Sequence, residues 1–132
     1  MDPKVWGPHY WFFLHSVAHH YPKLPNATTK KIHYRLIQNF PEFIPHRDVA
    51  SNFAKMLARY PVTPYLDSRT HFVRWVHFIH NKINENVGKP PITLEEHRNH
   101  FKKSYAETKN VNLHISIIFA VLLGLVIYTC TT

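Results

Sequence analysis

Flat polar side chains recur along one face of a predicted helix in the second half of the chain. The segment 75–89 reads WVHFIHNKINENVGK, and His77, His80, Asn81 and Asn84 within it lie three, four and seven residues apart. Residues at these spacings share a helix face. Imidazole and carboxamide groups both donate and accept hydrogen bonds, so this face is poorly suited to a core. We interpret it as a binding face for a flat, hydrogen-bonding, anionic ligand; the alternative is an ordinary helix with surface histidines.

A neighbouring apolar stripe predicts that the segment is helical and packs on a core. The stripe consists of Phe72, Trp75, Val76, Ile79 and Ile83. Asp67 or Ser68 is the predicted N-cap. At the other end, Gly88 is the predicted stop, followed by Lys89 and the pair Pro90-Pro91.

This helix resembles the cofactor-binding helix of the Erv/ALR-type FAD-linked sulfhydryl oxidases. The family pattern W…HN-x-VN-x-x-x-GK-P is met by Trp75, His80-Asn81, Ile83-Asn84 and Gly88-Lys89-Pro90. The resemblance implies that FAD is the cofactor, with His80, Asn81 and Asn84 beside its adenine portion. It also implies that Lys89 lies near the phosphates.

A second segment near the N-terminus carries the same resemblance. The family pattern WG…W..LH..A..YP..P is met in order and spacing at nine positions: Trp6, Gly7, Trp11, Leu14, His15, Ala18, Tyr21, Pro22 and Pro25. The resemblance implies that Gly7, Trp11 and His15 contact the flavin or its ribose. Packing in a core could explain Trp11 or His15 singly, but it does not explain two matched segments.

The third family motif is interrupted at the positions that carry its chemistry. The resemblance implies thiol oxidation, with oxygen as acceptor, through a Cys-x-x-Cys that follows a proline at the start of the third helix. After Pro45 this chain has His46 and Val49 at those positions. A helix N-terminus lowers a thiol pKa, but neither an imidazole nor an isopropyl group can form a disulfide. We therefore predict that the chain as written is inactive as a thiol oxidase.

Two explanations for the replaced cysteines stay open. The chain is either a natural pseudoenzyme that acts as a scaffold or dimer partner, or a variant of an active oxidase whose cysteines were replaced. The resemblance implies a homodimer formed through the first two helices, and a thiol protein as substrate or redox partner. The short helical domain is similar to the viral members of the family.

Composition favours an anionic partner and leaves two other function classes open. The formal net charge is +8 and the chain has twelve histidines but one cysteine, Cys130, so no intrachain disulfide is possible. No nucleic-acid-binding motif is present, which makes nucleic acid the weaker partner. The alternatives are a purely structural membrane protein and a metal-binding module built on the histidine pairs His77-x-x-His80, His15 with His19-His20, and His97 with His100.

The C-terminal segment is apolar enough to cross a membrane. Residues 111–130 include the run LHISIIFAVLLGLVIYTC, and this length can span about 30 Å of hydrocarbon. Lys102, Lys103 and Lys109 precede the run and no positive residue follows it. The positive-inside rule therefore predicts a single-pass anchor in a cellular or viral membrane, with the domain on the cytosolic side. The alternative is a buried core helix.

The predicted fold is all-α: a compact bundle of four core helices and a short fifth, followed by the transmembrane helix. The first four helices are expected at 8–20, 28–39, 46–60 and from about 68 to 87. Ile32, Leu36 and Phe40 are the predicted inward residues of the second helix, and Val49, Phe53, Met56 and Leu57 those of the third. Thr93 and Glu96 form a capping box for the fifth helix, which is expected to end near Thr108. The predicted domains are 1–109, the FAD-binding domain, and 110–132, the anchor.

Overall fold

The structure of the chain is a computed structural model that describes residues 2–99, 101–103, 115–116 and 118–123. The first four helices are α1 (Pro3–His20), α2 (Ala27–Asn39), α3 (Arg47–Arg59) and α4 (Arg69–Asn86). Two 3₁₀ turns, Phe40–Phe43 and Thr63–Tyr65, lie on either side of α3. The described part of the chain is helical, as predicted.

Helix α1 begins at Pro3 and not at Pro8 as the sequence suggested. Asp2 is its N-cap, and the Asp2 carboxylate accepts a hydrogen bond of 2.8 Å from the backbone N–H of Lys4. Pro3 occupies the first turn, where its missing N–H has no helical partner to lose. Pro8 lies inside the helix, so its nitrogen cannot donate to the carbonyl of Lys4.

Polar side chains cap the starts of α2 and α4, and of these two caps only Ser68 was predicted. Asn26 caps α2 and Ser68 caps α4, each accepting from the backbone N–H three residues later. Such a cap contributes about 1 kcal/mol. Residue 94 is the first helical residue after Thr93, which agrees with Thr93 as an N-cap. The predicted end of that helix near Thr108 lies outside the described residues.

The core lies where α1 packs against α4 and where α2 and α3 contact the Phe40–Phe43 turn. Its buried apolar members are Trp6, Leu14, Ala18, Tyr21, Ile37, Phe40, Ile44, Phe53, Leu57, Val62, Leu66, Phe72, Val73, Trp75, Val76 and Ile79. The predicted stripe of α4 is thus buried, except that Ile83 is partly buried at the edge of the core. Two hydrogen bonds tie loops to this core: the Tyr21 hydroxyl donates to the Leu66 carbonyl at 2.8 Å in a buried contact, and the Trp75 indole donates to the Tyr60 carbonyl at 3.1 Å in a partly buried one.

The inward face of α2 differs from the prediction. Ile32 is 58% exposed, whereas Ile37 is fully buried. The face that meets the core runs through His33, Leu36, Ile37 and Phe40, at i, i+3, i+4 and i+7, and Ile32 lies outside this stripe. On α3, Phe53 and Leu57 are buried as predicted, while Val49 and Met56 are partly buried.

Residues up to Leu94 form one structural unit, and a second unit begins at Glu95. The predicted boundary at 109/110 falls among residues that are not described and stays a prediction. None of the helices within the described residues is both long and apolar enough to cross a membrane. Most of the predicted span 111–130 lies outside those residues, so the anchor also stays a prediction.

Candidate functional site

Two histidines from distant parts of the sequence meet where α1 packs on α4. His15 Nε2 and His80 Nδ1 lie 3.1 Å apart, within hydrogen-bonding distance. A neutral imidazole has one donor and one acceptor nitrogen, so one ring donates and the other accepts. His15 is buried and His80 is partly buried. The contact brings together two residues that the sequence placed in the same binding site.

Trp11 completes an aromatic cluster around this histidine pair. Its indole stacks on the imidazole of His80, with ring centroids 3.9 Å apart and planes 7° from parallel. The Phe53 ring on α3 lies 6.1 Å from Trp11. Parallel stacking contributes about 0.5–1.5 kcal/mol beyond area burial. Trp11, His15 and His80, which were expected to contact a cofactor from α1 and from α4, therefore form one continuous aromatic cluster.

Gly7 lies on α1, N-terminal to Trp11, where the helix itself does not require a glycine. A Cβ atom added there would meet no other atom within 4 Å. Glycine inside a helix is less stable than alanine by about 0.5–1 kcal/mol. Packing within the described structure therefore gives no reason for glycine at this position, whereas a ligand that lies close to the helix would.

Asn84 lies one turn beyond His80 and is buried, 6% exposed. Its backbone carbonyl accepts hydrogen bonds from Val87 at 3.1 Å and from Lys89 at 2.8 Å. Gly88 has the positive φ of 72° that lets the chain turn there, and its N–H donates to the Glu85 carbonyl at 3.1 Å. The pattern is a Schellman motif, with Gly88 as the predicted stop, and the exposed Lys89 follows it.

Asn81 has a different environment from the one expected of a cofactor contact. Its amide Nδ2 donates to the Ile92 carbonyl at 2.8 Å, and its Oδ1 accepts from the Ile92 N–H at 3.0 Å. Nδ2 also lies 3.3 Å from His77 Nε2. Burial lowers the pKa of His77, which favours the neutral ring that can accept this hydrogen bond. No sequence pattern indicates the contact with Ile92; that Asn81 touches a cofactor stays a prediction.

His46 and Val49, which stand at the positions of the family's redox cysteines, lie at the start of α3. His46 is the N-cap, with extended backbone and no capping hydrogen bond from its side chain. Its Nδ1 atom is buried without a hydrogen-bond partner among the described residues. Val49, in the first turn, packs partly buried against the core. Neither side chain supplies a sulfur, so these two residues cannot hold a disulfide here.

The Phe40–Phe43 turn precedes α3 and is tied to α1. The Tyr10 hydroxyl on α1 donates to the Phe43 carbonyl at 2.8 Å, and the ring of Tyr10 meets that of Phe40 edge to face. The Ile44 N–H then closes the turn on Pro41. The sequence analysis did not identify Tyr10 as part of the site. The Tyr10 hydrogen bond nevertheless ties α1, which carries Trp11 and His15, to the segment before His46.

Comparison with known proteins gives a consistent picture. The Erv1 / Alr family model matches residues 8–111. A protein of Acanthamoeba polyphaga mimivirus named as a probable FAD-linked sulfhydryl oxidase is 35% identical over 97 residues, which are 73% of this chain and 68% of that protein. The mitochondrial FAD-linked sulfhydryl oxidase erv1 of Schizosaccharomyces pombe is 34% identical over 89 residues. These cover 67% of this chain and 49% of the yeast protein, so the chain spans about half the length of that relative.

The fold is also similar to solved structures. The crystal structure of the FAD-binding domain of Erv1 from Saccharomyces cerevisiae superposes with a TM-score of 0.68 at 30% sequence identity. The match covers 78% of this chain and 92% of the yeast domain. The residues matched by the family model, 8–111, include the aromatic cluster, the start of α3 and the whole of α4.

Proposed function

Because this chain belongs to the Erv1/Alr family, we propose that it binds FAD and that, as written, it does not oxidise thiols. The observation that supports FAD binding is the stack of Trp11 on His80, which also contacts His15. Aromatic faces beside buried hydrogen-bonding groups are the usual lining of a site for a flat heteroaromatic ligand. The solved yeast neighbour is named as an FAD-binding domain.

The residues present fit a flavin nucleotide. The stacked rings offer a flat apolar surface, Asn84 offers a buried carboxamide, and Gly7 leaves open space beside α1. Lys89 at the exposed end of α4 offers a cation to phosphate. When bound, FAD supplies a two-electron acceptor; these side chains would hold and orient it and exclude water from one of its faces.

The proposal that the chain does not oxidise thiols is based on its lack of a dithiol, since it has one cysteine. Converting two thiols to a disulfide releases two electrons and two protons, and a dithiol next to the flavin is needed to pass the electrons on. His46 and Val49 stand at those positions, and the one cysteine of the chain is Cys130. The chain then acts as a scaffold or partner subunit, and a thiol protein would be its partner but not its substrate.

We propose a homodimer and a membrane anchor as parts of the same function. An apolar groove of about 340 Å³ between α1 and α2 is lined by His9, Tyr10, Phe13, Leu36, Phe40 and Phe43, and its apolar lining supports pairing of two copies through these helices. The apolar run 111–130 supports the anchor, with the domain on the cytosolic side of a cellular or viral membrane. Light scattering of the purified chain in mild detergent tests the dimer, because it measures the mass of the particle in solution.

Two measurements on the purified full-length chain test this proposal. The visible absorbance bands of flavin should accompany the protein through gel filtration. With equal flavin loading, oxygen consumption with a dithiol should not exceed that of free flavin. A colourless protein would overturn the first half, and robust turnover would overturn the second.

A metal-binding module is the weaker alternative. His15 Nε2 and His80 Nδ1 lie 3.1 Å apart, and these two histidines belong to a group whose ring nitrogens are close enough to share a metal ion; the family membership is what favours FAD. Metal analysis of the same preparation checks this alternative directly.

A further inference from the structure

The segment 87–92, which follows α4 and carries Lys89, is held at both ends by side-chain and backbone hydrogen bonds. At its start, the N–H groups of Gly88 and Lys89 donate to carbonyls in the last turn of α4. At its far end, Ile92 forms two hydrogen bonds with the side chain of Asn81, one as donor and one as acceptor. We call this segment the lysine loop.

The contact between Asn81 and Ile92 is a backbone-like pairing made by a single side chain. The carboxamide presents one donor and one acceptor to the donor and acceptor of Ile92, at 2.8 and 3.0 Å. The remaining Nδ2 hydrogen faces His77 Nε2 at 3.3 Å. The Asn81 amide is therefore engaged on its oxygen and on its nitrogen by groups of the protein, which leaves it a small capacity for ligand bonds.

The sequence of the lysine loop restricts it further. Pro90 and Pro91 lie between Lys89 and Ile92 and fix their own φ angles. With hydrogen bonds before and after the two prolines, the Lys89 backbone keeps its position relative to α4, and mainly the lysine side chain can rotate. A cation fixed in place before binding loses less conformational freedom when a phosphate arrives.

We propose that Asn81 is a positioning residue that acts on the cofactor through Lys89. Its side chain holds the lysine loop so that the Lys89 ammonium meets the diphosphate of FAD, and it does not itself recognise the flavin or adenine ring. This inference rests on the proposed FAD binding. It differs from the expectation that Asn81 and Lys89 each contact the cofactor independently.

Comparing FAD with riboflavin distinguishes a positioning role of Asn81 from a direct contact with the flavin ring, because riboflavin has the ring but lacks the diphosphate. The full-length chain in mild detergent is titrated with FAD and with riboflavin, and binding is followed by flavin fluorescence. Asn81→Ala should weaken FAD binding by roughly tenfold and riboflavin binding by less than about twofold, and should flatten the salt dependence of FAD binding. In a Lys89→Ala background, Asn81→Ala should change FAD binding by less than about twofold.

Two further variants keep the test decisive. Asn86→Ala, at the exposed end of the same helix, is the matched control and should change neither affinity. The double change Pro90→Gly and Pro91→Gly loosens the lysine loop without altering α4, so it should show the same selective loss of FAD affinity. This double variant replaces Asn81→Ala in the test if Asn81→Ala does not fold. Amide hydrogen exchange, measured without flavin, should show an Ile92 N–H that is protected in the unmodified chain and in Asn86→Ala but exposed in Asn81→Ala.

The outcomes distinguish failure of this inference from failure of FAD binding. Equal losses for FAD and riboflavin, or a loss that persists at full size in the Lys89→Ala background, would mean that Asn81 contacts the ring or supports the fold, and would overturn the inference. An Ile92 amide that is equally exposed in all chains would overturn it as well. If the unmodified chain binds neither ligand, the proposed function fails and this inference with it.

Discussion

The imidazole of His80 on α4 lies flat against the indole of Trp11 on α1, with 3.9 Å between ring centroids and 7° between ring planes. His80 also lies within hydrogen-bonding distance of His15. One side chain of α4 thus connects two residues of α1 that are four positions apart and share a face. The pairing links the two sequence segments whose motifs point to FAD.

The first prediction concerns this aromatic cluster. Trp11→Ala and His80→Ala should each weaken FAD binding by at least roughly tenfold, since each removes a ring and leaves the other without its stacking partner. Helicity, measured by far-ultraviolet circular dichroism, should persist because both side chains are only partly buried. Trp11→Phe is the control, and it should keep most of the affinity. Full retention of FAD in both alanine variants would count against the assignment of the site.

The predictable part of the fold is local in sequence. The apolar stripe of α4, its Ser68 cap and its Gly88 stop are each set by residues within one or two turns of each other, and all three are observed. The start of α1 was harder because Pro3 and Pro8 are both suited to a first turn; the Asp2 cap selects Pro3. The sequence does not show which of two suitable first turns a helix uses, so the predicted start of α1 differs from the observed one.

The sequence proposes the candidate site as a set of residues but does not reveal their geometry. The spacing of His80, Asn81 and Asn84 on one face does not reveal that Asn81 turns to Ile92. That contact depends on the path of the chain after Gly88, through two prolines, and no periodic pattern encodes it. The stack of Trp11 on His80 likewise depends on how α1 packs on α4.

The second prediction concerns pH and His77. Burial lowers the pKa of His77 below its ordinary value near 6.5, so the unfolded chain takes up a proton that the folded chain resists. The free energy of unfolding should therefore fall as the pH drops from about 6.5 through the folded pKa, and reach a plateau below it. Urea denaturation of His77→Gln between pH 7 and 5 should show a shallower fall than the unmodified chain. His71→Gln, at an exposed position of the same helix, is the control; an equal slope in His77→Gln would contradict the prediction.

The third prediction concerns the membrane. If residues 111–130 form the anchor, a chain ending at Thr108 should stay in the supernatant after ultracentrifugation without detergent, and the full chain should sediment with membranes. Flavin content per protein should be equal in the two, since the predicted site lies within residues 7–89. A full-length chain that is soluble without detergent would contradict the anchor.

The fourth prediction concerns the start of α3. Two cysteines at i and i+3 on the first turn of a helix lie close enough to form a disulfide, and the helix N-terminus favours the thiolate. His46 and Val49 hold these two positions at the start of α3, and the Tyr10 hydroxyl ties the preceding turn to α1. The double change His46→Cys and Val49→Cys should therefore create the missing dithiol within the existing fold. Oxygen consumption with a dithiol substrate should rise at least roughly tenfold over the unmodified chain, because the nucleophile that starts the reaction is then present.

The single variants His46→Cys and Val49→Cys are the matched controls for this fourth prediction. Each supplies a thiol but no partner for an intrachain disulfide, so neither should exceed the rate of the unmodified chain at equal flavin loading. Activity in one single variant would mean that one protein thiol, paired with a thiol of the substrate, is enough to reduce the flavin. A double variant that binds FAD, forms the disulfide and yet consumes no oxygen would show that the start of α3 does not lie against the cofactor, and that restoring the two cysteines is not enough to create an active oxidase.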